Sequence, residues 1–337
     1  MFRNVILSGV NSAISDFVTI ATGMLVLGFG AVRIIDGTLS VGAMLAIMIL
    51  SWRILAPIKT VFNMYPRVIQ MGNSLRQITK LMRIKSEVKS TDLGRSRLFG
   101  LRGEITFRQV SLRYPNAYQP ALIGVDFNVK PGEQVAITGR NGSGKSSIFK
   151  LLLRMCQQQM GSVLIDQQDI RQFNEIELRS VIGYLPQVPE LFYGTIADNI
   201  RLSSPGATDE DVEKVAARVG ILDTIRTLPK GIHAHIRDFS TEKLSVGFQR
   251  SLCLARALLK QAPILLLDEP TSGLDEKANE NLLHILENLR GKITVLIVTY
   301  RPSYMKLMDK VLVLDDGRLI LQGPPNQVMP EIIKEIV

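Results

Sequence analysis

From Phe17 to Ile35 the chain reads FVTIATGMLVLGFGAVRII, 19 residues whose one charge, Arg33, stands near the far end. A helix of that length crosses a hydrocarbon core, whereas a water-soluble fold would have to bury it on every side. A second run, Val41–Ile58, reads VGAMLAIMILSWRILAPI, and only DGTLS, Asp36–Ser40, lies between the two. That link has turn chemistry and little room, so the pair is expected to form an all-α transmembrane hairpin with spans over 14–35 and 41–58. A cleaved signal peptide or two buried core helices fit less well, because no small-residue cleavage site precedes the second run.

Beyond Ile58, apolar positions recur at helical spacing through Val61, Tyr65, Val68, Gly72, Leu75, Ile78 and Met82. The second helix is therefore expected to continue into the cytosol, kinked at Pro57 and Pro66. The charged stretch 86–102 has no apolar period and reads as a linker between a membrane domain, 1–85, and a second domain, 103–337.

The net charge of +9 invites a nucleic-acid reading, and its position decides against one. Residues 1–102 hold 13 basic and 4 acidic groups, while 103–337 hold 27 of each. The excess follows the apolar runs at Lys59, Arg67, Arg76, Lys80, Arg83, Lys85 and Lys89, and Arg3 precedes them. This is the positive-inside pattern: a multi-pass protein of the inner or plasma membrane, in contact with lipid, with both ends of the hairpin in the cytoplasm. Asp16 and Arg53 are the costly charges and are expected to face protein or water. Apolar content of 46% excludes disorder, and two cysteines with three histidines exclude a disulfide framework or a His-based metal site.

After Gly103 short β-rich runs alternate with helical ones. Gln134–Thr138 is an apolar run, GRNGSGKS follows from Gly139 to Ser146, and a helical pattern begins directly after it. Strand, glycine loop and helix are the context a phosphate loop requires. Gly142 and Gly144 let backbone N–H groups face phosphate oxygens, and the helix N-terminus adds positive potential. Lys145 is expected to reach the β- and γ-phosphates and Ser146 to ligand Mg²⁺, with Gly139, Asn141, Ser143 and Ser147 lining the site. Downstream, ILLLDE, Ile264–Glu269, is an unbroken apolar run ending in two carboxylates, as expected of a parallel strand buried on both faces. Asp268 would then join the Mg²⁺ shell and Glu269 would polarise the attacking water. The domain is thus expected to be an α/β P-loop NTPase.

With these residues the chain resembles the ATP-binding cassette (ABC) transporter family, exporter type, from about residue 9 onward. LSVGFQRSLCLARAL, Leu244–Leu258, is similar to the family signature, and DEPTSGLD, Asp268–Asp275, joins the second carboxylate motif to the D-loop. IGYLPQ places Gln187 as the Q-loop residue that senses Mg²⁺. Tyr114, 25 residues before Gly139, falls where the family stacks an aromatic on adenine. The resemblance implies a cassette with a helical subdomain. It also implies ATP and Mg²⁺ as cofactors and a homodimer or heterodimer with another ABC half. Ser245, Val246 and Gly247 would act in trans on the partner's γ-phosphate, beside the D-loop Asp275.

Three departures stand out against the family pattern. Tyr300 replaces the switch histidine; a phenol offers one donor and no positive charge, so slower hydrolysis is expected. Val246 and Phe248 replace a glycine and a glutamine of the signature, and RDFSTEK before it lacks the expected glycine-rich acidic form. The chain also begins near the fifth of six expected helices, which implies a partial membrane domain and a further chain supplying the missing helices. The leading expectation is an ATP-hydrolysing exporter portion; the alternative is a degenerate ATP-binding subunit with little turnover. A soluble ABC ATPase acting on nucleic acid would need basic residues on the cassette. The run VTYRPSY is similar to exporters of the type I secretion class.

Overall fold

Gly37 and Ser40 make the turn between the two apolar runs. Gly37 takes a left-handed φ of 71° and closes the first helix by donating to the carbonyl of Ile34, and Ser40 Oγ accepts from Ala43 N–H to open the second. The computed structural model describes residues 2–83, 100–115, 117–236 and 245–336, and the chain divides into a unit of residues 1–87 and one of 88–337. Of the proposed linker, 86–99 lies outside the described residues.

In the first unit, helices α1 (Phe2–Ile35) and α2 (Val41–Met82) pack against each other, and α2 runs unbroken through Pro57 and Pro66. Two segments, Ala13–Ile35 and Val41–Val61, are long and apolar enough to cross a membrane, and neither is buried in protein. Phe17, Phe29 and Trp52 stand exposed, which separates these helices from the core helices of a soluble fold. Asp16 is paired with Lys59 across the hairpin, so one costly charge finds protein. Arg53 is exposed.

The second unit begins where Asp166 accepts the backbone N–H groups of Arg102, Gly103 and Glu104. Strands β1 (Ile105–Leu112), β2 (Leu122–Val129), β4 (Met160–Ile165) and the short β5 (Gln168–Asp169) form an antiparallel sheet in the order β2-β1-β4-β5. Between β2 and β4 come β3 (Gln134–Gly139) and α3 (Lys145–Leu152). After α4 (Glu175–Ser180), strand β6 (Ile182–Leu185) leads into a helical layer of α5 (Ile196–Arg201), α6 (Asp209–Arg218), α7 (Leu222–Arg226) and α8 (Val246–Leu259). The chain then returns through β7 (Ile264–Asp268), α9 (Glu276–Leu289), β8 (Thr294–Val298), α10 (Pro302–Leu307), β9 (Lys310–Asp315), β10 (Arg318–Gly323) and α11 (Pro325–Ile336).

The larger sheet has the order β10-β9-β3-β8-β7-β6, parallel except for β10. Strand β7 is buried at all five positions, as its unbroken apolar sequence predicts. Leu265 and Leu267 enter the core shared with the helical layer, while Ile264 and Leu266 enter the core shared with the antiparallel sheet and α3. The same alternation runs through β8 and β9, so the sheet is covered on both faces. Register aligns Ile137 with Val298 and Asp268 with Val298, which brings the C-terminal ends of β3, β7 and β8 to one edge. That edge is where an open parallel sheet offers a ligand crevice.

Candidate functional site

The loop Gly139–Ser146 leaves the end of β3 at this edge. Its glycines are demanded by close backbone approach: a Cβ on Gly139 would stand 1.9 Å from the Leu314 carbonyl oxygen, and one on Gly144 2.4 Å from that of Ala121. Gly144 is the N-cap of α3, so Lys145 and Ser146 occupy the first turn of that helix. Lys145 is buried; its Nζ donates to the carbonyls of Gly139 at 2.8 Å and Arg140 at 2.7 Å. Burial holds the ammonium below its ordinary pKa, and the carboxylates of Glu269 and Asp268 oppose that shift.

Asp268 closes β7 and is 2% exposed, with Oδ1 bonded to nothing among the described residues. Burial raises its pKa; a hydrogen bond with Ser146 lowers it and the neighbouring Glu269 charge raises it again. A buried carboxylate oxygen without a partner, beside a hydroxyl, is a donor set that suits a hard cation such as Mg²⁺. Ser143 Oγ, inside the phosphate loop, is a second buried polar atom without a partner among the described residues. Glu269 follows with φ 48°, a conformation that costs energy for a residue bearing a Cβ, and its N–H donates to Val298 O at 3.1 Å. Strain of that kind sits at the position expected to carry the chemistry.

Tyr300, two residues past β8, reaches back over the loop. Its hydroxyl donates to Asn141 Oδ1 at 2.9 Å, and Lys145 Nζ lies 4.9 Å from its ring centre. Burial, Glu269 and Asp268 all raise the phenol pKa, so the hydroxyl stays a donor at neutral pH. Tyr114 lies on the other side of α3, half-buried, its hydroxyl 3.1 Å from Ser147 Oγ and Lys150 Nζ 5.6 Å from its ring centre. A cavity of about 550 Å³ lies beside Tyr114, lined also by Arg113, Met155 and Cys156.

The signature residues form a second cluster. Ser245 is the N-cap of α8, with Oγ accepting from Phe248 N–H at 3.1 Å, and Val246 and Gly247 make its first turn. Gly247 packs on Gly273 so closely that a Cβ there would stand 2.8 Å from the Gly273 carbonyl oxygen. Asp275 is the N-cap of α9 through Ala278 N–H at 2.8 Å. Phe248 packs against the helical core, which accounts for an apolar residue at that place. Leu244 and RDFSTEK lie outside the described residues.

A family model described as ABC transporter matches residues 122–272. The chain carries an ABC transporter domain. The chain is 35% identical over 295 residues to an ATP-dependent lipid A-core flippase of Bordetella avium, covering 87% of the chain and 49% of the flippase. It is also 35% identical over 299 residues to the glutathione/L-cysteine transport system ATP-binding/permease protein CydC of Escherichia coli, covering 88% and 51%. Among solved structures, a bacterial Atm1-family ABC exporter with ATP bound matches with TM-score 0.69 and 27% identity, covering 96% of this chain and 56% of that one. The chain therefore spans about half the length of the curated relatives it matches.

One arrangement, between Gln187 and Arg250, escapes sequence reasoning. Gln187, one residue beyond Pro186 at the end of β6, has an exposed side chain, and the group the structure engages is its main-chain carbonyl. That carbonyl accepts from Arg250 Nη2 at 2.6 Å. Arg250 is 4% exposed on the inward face of α8, near enough to Glu269 for their charges to interact. A charged residue on the apolar face of an amphipathic helix was the available signal.

Proposed function

We propose that this chain binds and hydrolyses ATP and that the cycle drives export across a membrane. The observation that carries the reading is the convergence of Lys145, Ser146, Asp268 and Glu269 at the ends of two strands that flank β8. Lys145 would reach β- and γ-phosphate oxygens with the N–H direction its loop carbonyls leave open, and the α3 N-terminus would add its dipole. Ser146 and Asp268 would hold Mg²⁺, with Gln187 completing the set, and the ion would neutralise charge on the phosphates. Glu269 would orient the attacking water and take its proton, while Tyr114 offers a ring for the adenine. Loss of the γ-phosphate then releases what its charge had held together.

The N-terminus of α8 at Ser245, with Val246, Gly247 and Asp275, is proposed to meet the nucleotide of a second cassette, so the working form is a dimer. A homodimer and a heterodimer with another ABC half remain alternatives. The basic residues after the second span would keep the cassette on the cytoplasmic side of the inner or plasma membrane. The two relatives are named for cargoes as unlike as lipid A-core and glutathione, so similarity of the cassette does not select a cargo.

Turnover is proposed to be slow, since Tyr300 supplies one hydrogen-bond donor at the switch position. The same observation supports a second reading, an ATP-holding subunit whose partner hydrolyses. ATPase measurement on the reconstituted full chain separates them. Glu269→Gln is expected to lower the rate by at least ~100-fold with nucleotide binding retained; an unchanged rate would exclude hydrolysis at this site.

A further inference from the structure

The ring of Tyr300 faces the ammonium of Lys145, with 4.9 Å from Nζ to the ring centre. Lys145 has three N–H donors; two are spent on the carbonyls of Gly139 and Arg140, and the third direction is left to the Tyr300 ring at 4.9 Å. A phosphate oxygen bonded to Nζ would lie about 2.8 Å away, inside the space between the ammonium and that ring. The hydroxyl anchors the ring by bonding Asn141 on the opposite lip of the loop. Tyr300 leaves β8 between the loop that follows β3 and the carboxylates that end β7, the side on which the last phosphate would lie. Backbone N–H groups at the α3 N-terminus would serve the two inner phosphates.

We propose that Tyr300 is a specificity-determining lid on the phosphate loop, competing with the γ-phosphate and biasing the site toward diphosphate until it is displaced. This rests on the ATP-site reading above. It gives the tyrosine a role beyond being a weaker substitute for histidine: its hydroxyl and its ring hold the loop in the closed arrangement that a triphosphate must open. A residue whose only part was to contact the γ-phosphate would act in the opposite direction.

The test is calorimetric titration of the full chain in lipid nanodiscs with Mg²⁺ and either ADP or the non-hydrolysable β,γ-imido analogue of ATP. Tyr300→Ala is expected to tighten the triphosphate analogue roughly five- to tenfold and to leave ADP within about twofold. Tyr300→Phe keeps the ring and its volume, loses only the Asn141 bond, and is expected to give a smaller gain in the same direction. Tyr300 is 44% exposed, so neither change opens a core cavity. Weaker or unchanged analogue binding in Tyr300→Ala, or an equal gain for ADP, overturns the lid while the ATP site stands. Wild type binding neither nucleotide overturns the ATP-site reading and the lid with it.

Discussion

Arg250 Nη2 donates to the main-chain carbonyl of Gln187 at 2.6 Å, joining the first turns of the signature helix to the segment that follows β6. The other two guanidinium nitrogens, Nε and Nη1, are buried without a partner among the described residues. A charge-assisted hydrogen bond contributes about 1.5–3 kcal/mol, and each buried unsatisfied donor costs about 1–3 kcal/mol. The two unsatisfied donors together cost about 2–6 kcal/mol, at least as much as the bond contributes, so Arg250 is poorly explained by stability. Arg250→Met is expected to melt within about 3 °C of wild type while ATP turnover falls at least ~10-fold, because the Gln187 segment loses its anchor. Thermal melts and ATPase rates on one preparation check this; a large loss of melting temperature with normal turnover would make the contact structural.

Asp268 is expected to destabilise the cassette in the absence of a cation. Its folded-state pKa is raised above 3.8 by burial, so the protonated acid is favoured in the fold. Stability from this group is then present below pH ~3.8 and is lost as pH rises through the raised value. Asp268→Asn should therefore melt higher than wild type at pH 7, by about 2–4 °C for each kcal/mol recovered. The gap should narrow as pH falls toward 4, and Mg²⁺-dependent hydrolysis should vanish. A variant less stable than wild type at neutral pH would show that the carboxylate is already compensated.

Tyr300→His tests the switch position as the limit on turnover. A histidine there would supply a ring nitrogen that can be protonated near neutral pH, where the phenol has a single donor and a raised pKa. Steady-state hydrolysis is expected to rise several-fold. An unchanged rate would move the limit elsewhere.

The Asp16–Lys59 pair ties the two helices of the hairpin, and a lone charge at the membrane is costly. Asp16→Lys is expected to cut the monodisperse fraction recovered in mild detergent at least about twofold, and the exchange Asp16→Lys with Lys59→Asp should restore it. Failure of the exchange to rescue would mean that each charge has another partner.

Much of the site was legible because its chemistry is local in sequence. The phosphate loop sits within eight consecutive residues, and the burial of Ile264–Leu267 on both faces follows from four apolar residues in a row. Ser245 opening a helix and Gly37 closing one are likewise short-range signals. Asp16 was recognised as a charge in need of a partner, but nothing in the chain named Lys59, 43 residues away. The role of Arg250 is not legible in the sequence, because one sequence does not say which carbonyl a buried guanidinium meets. Phe248 looked like a lost polar group until packing gave it a place against the helical core.

What the sequence determined by itself was the inventory: two apolar spans, a basic segment beneath them, a phosphate loop, a carboxylate pair and a tyrosine at the switch position. Each follows from spacing and side-chain chemistry within a few residues. Only the tertiary structure decided that β8 lies between β3 and β7, and so that Tyr300 leaves its strand between the loop and the carboxylates. Strand order is set by which faces bury which side chains across more than a hundred residues. That placement turns Tyr300 from a substituted residue at the end of a strand into a ring seated over Lys145.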